Sequence, residues 1–177
     1  LEAREHAVEQ RGAARRADSF VIEIFQVRHV LADGMANIRQ PFVTPGGAWQ
    51  VTVAGNLAYV GCADSGLVVV DVSNLQSMHQ VGRLDTPGAA ENLTLSGTYG
   101  YLTDGNAGLH VLDMTDPTAP TIMGTADTPG YPWIVAVAGD YAYVADDVPG
   151  LQIIDVSNPE DPFIALTLPM PDEAQGV

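Results

Sequence analysis

The chain has 177 residues, 46% of them hydrophobic, which is enough to build one domain around a real core. Its formal net charge is −15, with no lysine anywhere and no arginine after Arg83. Such a surface repels phosphate, so nucleic acid and anionic lipid are excluded as partners. No apolar run nears the ~20 residues of a membrane-spanning helix, so membrane insertion is not expected.

In chain order, residues 1–17 are rich in Ala, Glu and Arg and read as a helical or disordered arm. Residues 18–43 contain Phe20-Val21-Ile22-Glu23-Ile24-Phe25 and carry strand propensity. They read as degenerate strands of a preceding unit. From Thr44 the chain repeats itself. Thr44-Pro45-Gly46, Thr86-Pro87-Gly88 and Thr128-Pro129-Gly130 follow one another at a period of 42 residues. A fourth copy begins over 170–177, so the sequence reads as a piece of a longer polypeptide. A period of about 40–50 residues with several short strands per unit signals a propeller or a solenoid.

Each copy has the same grammar. A first strand alternates apolar and small or polar residues (Gln50–Ala54, Asn92–Ser96, Ile134–Ala138), the period-2 pattern of a pleated strand. Gly55-Asn56, Gly97-Thr98 and Gly139-Asp140 then predict tight hairpins. The second strand carries Tyr59, Tyr101 and Tyr143 in one column beside Ala or Gly, large rings set against small neighbours. A short polar loop leads to a third, strongly apolar strand ending in Asp71, Asp113 or Asp155. A Ser-Asn or Thr-Asp turn follows, and a weaker fourth strand lies near 80–83, 122–125 and 164–168. Four strands in about 42 residues make one propeller blade. The units are therefore 44–85, 86–127 and 128–169. The expected fold is all-β, a β-propeller segment of four-stranded antiparallel blades, and three blades leave the usual ring incomplete.

Gly150-Leu151-Gln152-Ile153-Ile154-Asp155-Val156-Ser157-Asn158-Pro159 and its two counterparts resemble the LVIVD repeat. The phrase departs at Leu75, where proline is expected, and at Met114, where valine is expected. The resemblance implies a β-propeller and a secreted, periplasmic or cell-surface setting, and it brings no catalytic residues. The remaining blades would come from the rest of the chain or from another subunit.

Residues repeated in every copy are most simply architectural. Asp71, Asp113 and Asp155 form a carboxylate row, but each precedes a turn whose backbone amides a carboxylate caps. Departures from the repeat are better candidates. The residue leading into the first strand is Trp49, Glu91 and Trp133 in turn, with Tyr131 close to the last. Near a channel mouth these side chains could hold a sugar, an aromatic group or a cation; the alternative is that the tryptophans wedge between blades. The loop between second and third strands brings Asp104, Asp146 and Asp147 to the same end. Oxygen-rich loops of this kind can take Ca²⁺, although the spacing of a calcium loop is absent and turn chemistry explains the same residues. The four histidines lack a second ligand at zinc spacing, and Cys62, the single cysteine, reads as a buried apolar residue. No nucleophile motif or phosphate loop is present. The expected function is non-catalytic binding or scaffolding toward a protein or carbohydrate. One rival is a hydrolase or lyase using Glu91 with Asp104 and Asp146. The other is a purely structural repeat that mediates assembly.

Overall fold

The computed structural model describes residues 42–148 and 150–170. The arm expected at 1–17, nearly all of the degenerate strands at 18–43 and the fourth copy beyond Met170 lie outside the described residues. Twelve strands follow in chain order. Blade one holds β1 (Gln50–Ala54), β2 (Leu57–Gly61), β3 (Leu67–Asp71) and β4 (His79–Leu84). Blade two holds β5 (Asn92–Ser96), β6 (Tyr99–Thr103), β7 (Leu109–Asp113) and β8 (Thr121–Ala126). Blade three holds β9 (Ile134–Ala138), β10 (Tyr141–Asp146), β11 (Gly150–Asp155) and β12 (Phe163–Pro169). Each blade is an antiparallel meander paired in sequence order.

Local chemistry sets the register. Gly55, Gly97 and Gly139 take φ of 58°, 61° and 59°, the left-handed conformation that a two-residue hairpin needs and that glycine adopts without penalty. Pairing then places Tyr59 opposite Val69 and Val69 opposite Gly82, and Tyr101 opposite Val111 and Val111 opposite Gly124. These rows face the next blade. Tyr59, Leu67 and Val69 pack against Leu93, Leu102, Leu112 and Met114 of blade two. Tyr101, Leu109 and Val111 pack against Val135, Ala142, Val144, Ile154 and Val156 of blade three. Fully burying such aliphatic side chains contributes about 1.5–3 kcal/mol each, so the core lies between the sheets.

The blades fan rather than stack. The innermost strands β1, β5 and β9 lie side by side, whereas β8 and β12 barely touch. Hydroxyls lock the inner margin: Thr52 donates to the Leu93 carbonyl at 2.5 Å and Thr94 to the Val135 carbonyl at 2.7 Å. Glycine opens the outer margin. A Cβ on Gly82 would stand 2.8 Å from the Thr118 carbonyl oxygen, and one on Gly124 would stand 2.5 Å from that of Pro159. The next blade's outer turn therefore seats directly on these glycines.

Asp71, Asp113 and Asp155 do turn work. Each accepts a bond from the backbone N–H two residues on, at 2.7, 2.8 and 3.0 Å. Bonds from Ser73, Thr115 and Ser157 hold these carboxyls below the usual carboxylate range.

Candidate functional site

The Thr-Pro-Gly lead-in loops and the loops between second and third strands meet at one end of the blades. In blade two, Asp104 closes this meeting. Its Oδ1 accepts from the Thr86 hydroxyl at 2.7 Å and its Oδ2 from the Gly88 amide at 2.8 Å. Oδ2 also lies 2.9 Å from His110 Nε2, and His110 Nδ1 lies 2.8 Å from the Thr125 hydroxyl. Asp104 is fully buried and His110 nearly so. A buried carboxylate is tolerated where it is hydrogen-bonded, and Thr86, Gly88 and His110 supply three partners to Asp104.

Blade three repeats the device with different chemistry. Asp146 Oδ2 accepts from the Gly130 amide and from Gln152 Nε2, both at 3.1 Å, and Thr167 donates to Gln152 Oε1 at 2.6 Å. The pin is looser here. Thr128 stands close enough to favour the ionised carboxylate, yet Thr128 Oγ1 and Asp146 Oδ1 do not meet in hydrogen-bonding geometry. Burial raises the Asp146 carboxyl above its ordinary range, against the pull of these neighbours. In blade one the same column holds Cys62, with Val68 in place of His110, and both are fully buried. The Thr44 hydroxyl turns to the Gly46 carbonyl at 2.7 Å instead. Burial pushes the Cys62 thiol up to about 11, so it sits as a neutral, packed side chain.

The loop carboxylates Asp104 and Asp146 are thus placed inside the blades rather than on a rim. Asp147 sits half-buried on its loop with φ of 43°. Among the described residues, no group of three or more His, Cys, Asp or Glu is gathered as a metal site.

The aromatic candidates divide. Trp49 is 61% exposed. Tyr131, Trp133 and Glu91 come together at the junction of blades two and three. The Tyr131 hydroxyl donates to Glu91 Oε1 at 2.7 Å, and the Tyr131 and Trp133 rings lie 4.7 Å apart at 44°. Gly105 makes room, since a Cβ there would stand 3.0 Å from the Tyr131 ring. The backbone is held as firmly: Thr103 donates to the Trp133 carbonyl at 3.2 Å, and Asn92 Oδ1 accepts from the Val135 amide at 3.0 Å. Burial raises the Glu91 carboxyl, with the Asp104 charge adding to it and the Tyr131 bond opposing. Burial first, and then the Glu91 bond, raises the Tyr131 phenol. The indole Nε1 of Trp133 is buried without a partner. Glu91 is buried and Tyr131 and Trp133 are half-buried, with the Asp64 charge close enough to act on Tyr131.

The family model for the LVIVD repeat matches residues 45–86, 87–128 and 129–167. The chain belongs to the LVIVD repeat family. Its matched repeats coincide with the three blades. Among curated proteins none matches the chain. Three solved structures show the same fold. The computationally designed Ika8 protein aligns at a TM-score of 0.54 and 11% identity, over 72% of this chain and 38% of Ika8. The designed Ika4 protein aligns at 0.53 and 8%, over 73% and 75%. Citrobacter koseri AztD aligns at 0.50 and 17%, over 76% and 36%. The chain thus spans under two-fifths of Ika8 and of AztD.

Sequence reasoning missed the pins. His110, Gln152, Thr125 and Thr167 were not singled out as partners of Asp104 and Asp146. The signal was present: six residues apart, the pairs Cys62/Val68, Asp104/His110 and Asp146/Gln152 change together between copies.

Proposed function

We propose that these LVIVD blades serve as a non-catalytic binding or scaffolding unit of a secreted or cell-surface protein. The recognition site is the lead-in end between blades two and three, where Tyr131, Trp133 and Glu91 meet within reach of the Asp64 charge. One observation carries the reading. The lead-in columns depart from the repeat, running Gly47, Ala89, Tyr131 and Trp49, Glu91, Trp133. Three of these residues, Glu91, Tyr131 and Trp133, gather into one cluster. An aromatic platform beside a carboxylate suits a glycan, or a protein segment with a cationic or hydroxyl-bearing side chain.

The hydrolase alternative needs two carboxyls converging on a pocket. Asp104 and Asp146 are instead each committed to their own lead-in loop, which supports binding over hydrolysis. The test is binding of the 177-residue chain to a glycan panel and to basic peptides, with Trp133→Ala and Glu91→Gln as variants and thermal melting as the folding control. The reading expects a ligand whose affinity falls at least about tenfold in Trp133→Ala, the loss of one buried aromatic contact. A confirmed ligand bound equally by wild type and both variants would remove this cluster as the site.

A further inference from the structure

Resting on the reading that Glu91, Tyr131 and Trp133 form the recognition site, we propose that its ligand is an arginine side chain of a partner protein, with the guanidinium stacked against the two rings and bonded to Glu91. The junction between blades two and three is built differently from the one before it. Blades one and two are joined at the lead-in end by a backbone bridge. There Ala63 N–H donates to the Ala90 carbonyl and Ala90 N–H to the Ala63 carbonyl, both at 3.1 Å. One repeat later these positions are Gly105 and Pro132. Proline has no N–H to donate, so the reciprocal bridge is not repeated. The Tyr131 ring lies over Gly105 instead.

This unbridged junction holds a carboxylate that the fold leaves half used. Glu91 is 4% exposed, and the Tyr131 hydroxyl donates to its Oε1 at 2.7 Å. Its Oε2 accepts no hydrogen bond among the described residues. Neither lysine nor arginine neutralises it: Arg83 is the only such residue among those described, and it is bonded to Asp85 at 2.6 Å. A carboxylate this deep in a fold normally has a charge partner. The Asp104 charge acts on Glu91 and, together with that of Asp64, on the Tyr131 phenol, so the surroundings favour a cation further.

These features select a cation over a neutral sugar, and arginine among cations. A glycan hydroxyl bonds Oε2 but leaves the charges of Glu91, Asp64 and Asp104 uncompensated. Aromatic faces attract positive charge, the indole most strongly. A guanidinium is planar and weakly hydrated, so it stacks on a ring while its N–H fork meets a carboxylate; the lysine ammonium is a strongly hydrated point charge. The net charge of −15 also draws a basic partner in from a distance.

The test is isothermal titration calorimetry of the 177-residue chain with a capped tripeptide carrying arginine at its centre, and with its citrulline and lysine counterparts, up to about 10 mM, a range that reaches weak affinities. Citrulline keeps the shape of arginine and removes the charge. The expected result is binding of the arginine peptide that weakens at least about tenfold with citrulline or in Glu91→Gln, and less steeply with lysine. Asp64→Asn should weaken it about two- to threefold, and Asp161→Asn, on the outer turn of blade three, should leave it unchanged. Asp64 and Asp161 are both exposed, so neither change disturbs the core, and thermal melting checks the folding of Glu91→Gln. An arginine peptide that fails to bind overturns the inference. So does a citrulline peptide bound as tightly, or equal losses in Asp64→Asn and Asp161→Asn. A glycan bound through Trp133 in place of the arginine peptide would leave the site standing without its cation, whereas no Trp133-dependent ligand of either kind would remove both readings.

Discussion

Blades one and two hold the same loop in opposite ways. In blade two a buried Asp–His pair with two flanking threonines ties Gly88 to the strand end. In blade one a cysteine and a valine fill the space, and the threonine bonds within its own loop. The backbone result is the same, so the fold requires an anchored loop and not a carboxylate. A buried, hydrogen-bonded polar pair can be replaced by a packed apolar pair of similar volume at little cost, whereas removing one partner of the polar pair leaves a buried polar group unsatisfied.

That contrast can be broken most severely at His110. His110→Val leaves Asp104 buried with one partner gone, and a loss of about 3 kcal/mol is expected in denaturant unfolding. Next comes the junction. Gly124→Leu forces a side chain into the Pro159 turn and should cost about 2 kcal/mol or more, while the reverse change at the exposed Leu166 of blade three, Leu166→Gly, should stay within about 1 kcal/mol. Equal losses at the two sites would show that the outer glycines do not set blade spacing. A milder change is His110→Gln, which borrows the solution of blade three. Gln152 already bridges Asp146 and Thr167, so a loss near 1 kcal/mol is expected.

The smallest effect is in pH. Burial raises the folded-state pKa of Asp146 above its unfolded value, so the folded chain binds that proton more tightly. Its contribution to stability therefore grows as pH falls through the raised pKa, and stops growing once the unfolded chain is also protonated. Asp146→Asn should flatten this part of the stability–pH curve. An unchanged curve would mean that Asp146 titrates as an exposed carboxyl.

The strands were legible because period-2 alternation, hairpin glycines and a 42-residue repeat all agreed. The first strands run over the residues expected, the third strands end at the expected Asp71, Asp113 and Asp155, and the fourth strands are one residue longer at each end. The turn role of Asp71, Asp113 and Asp155 was equally readable, because their partners lie two residues away. The pins were not. Their partners come from a lead-in loop 16–18 residues back and a strand six residues on, separations that no local pattern exposes. Asp104 and Asp146 looked like rim carboxylates for the same reason: a polar loop residue is assumed to face water until its buried partners are known. Tyr131 and Glu91 stood out as departures from the repeat, but 40 residues separate them, and only the fan of the blades brings them to 2.7 Å.

The most direct test is a double-mutant cycle on Asp104→Cys and His110→Val, with stability from urea unfolding. The two changes together install the blade-one pair in blade two. If loop anchoring is what matters, the double variant will be more stable than His110→Val alone, with a coupling of about 2 kcal/mol. Losses that simply add, leaving the double variant the least stable of the set, would contradict the account.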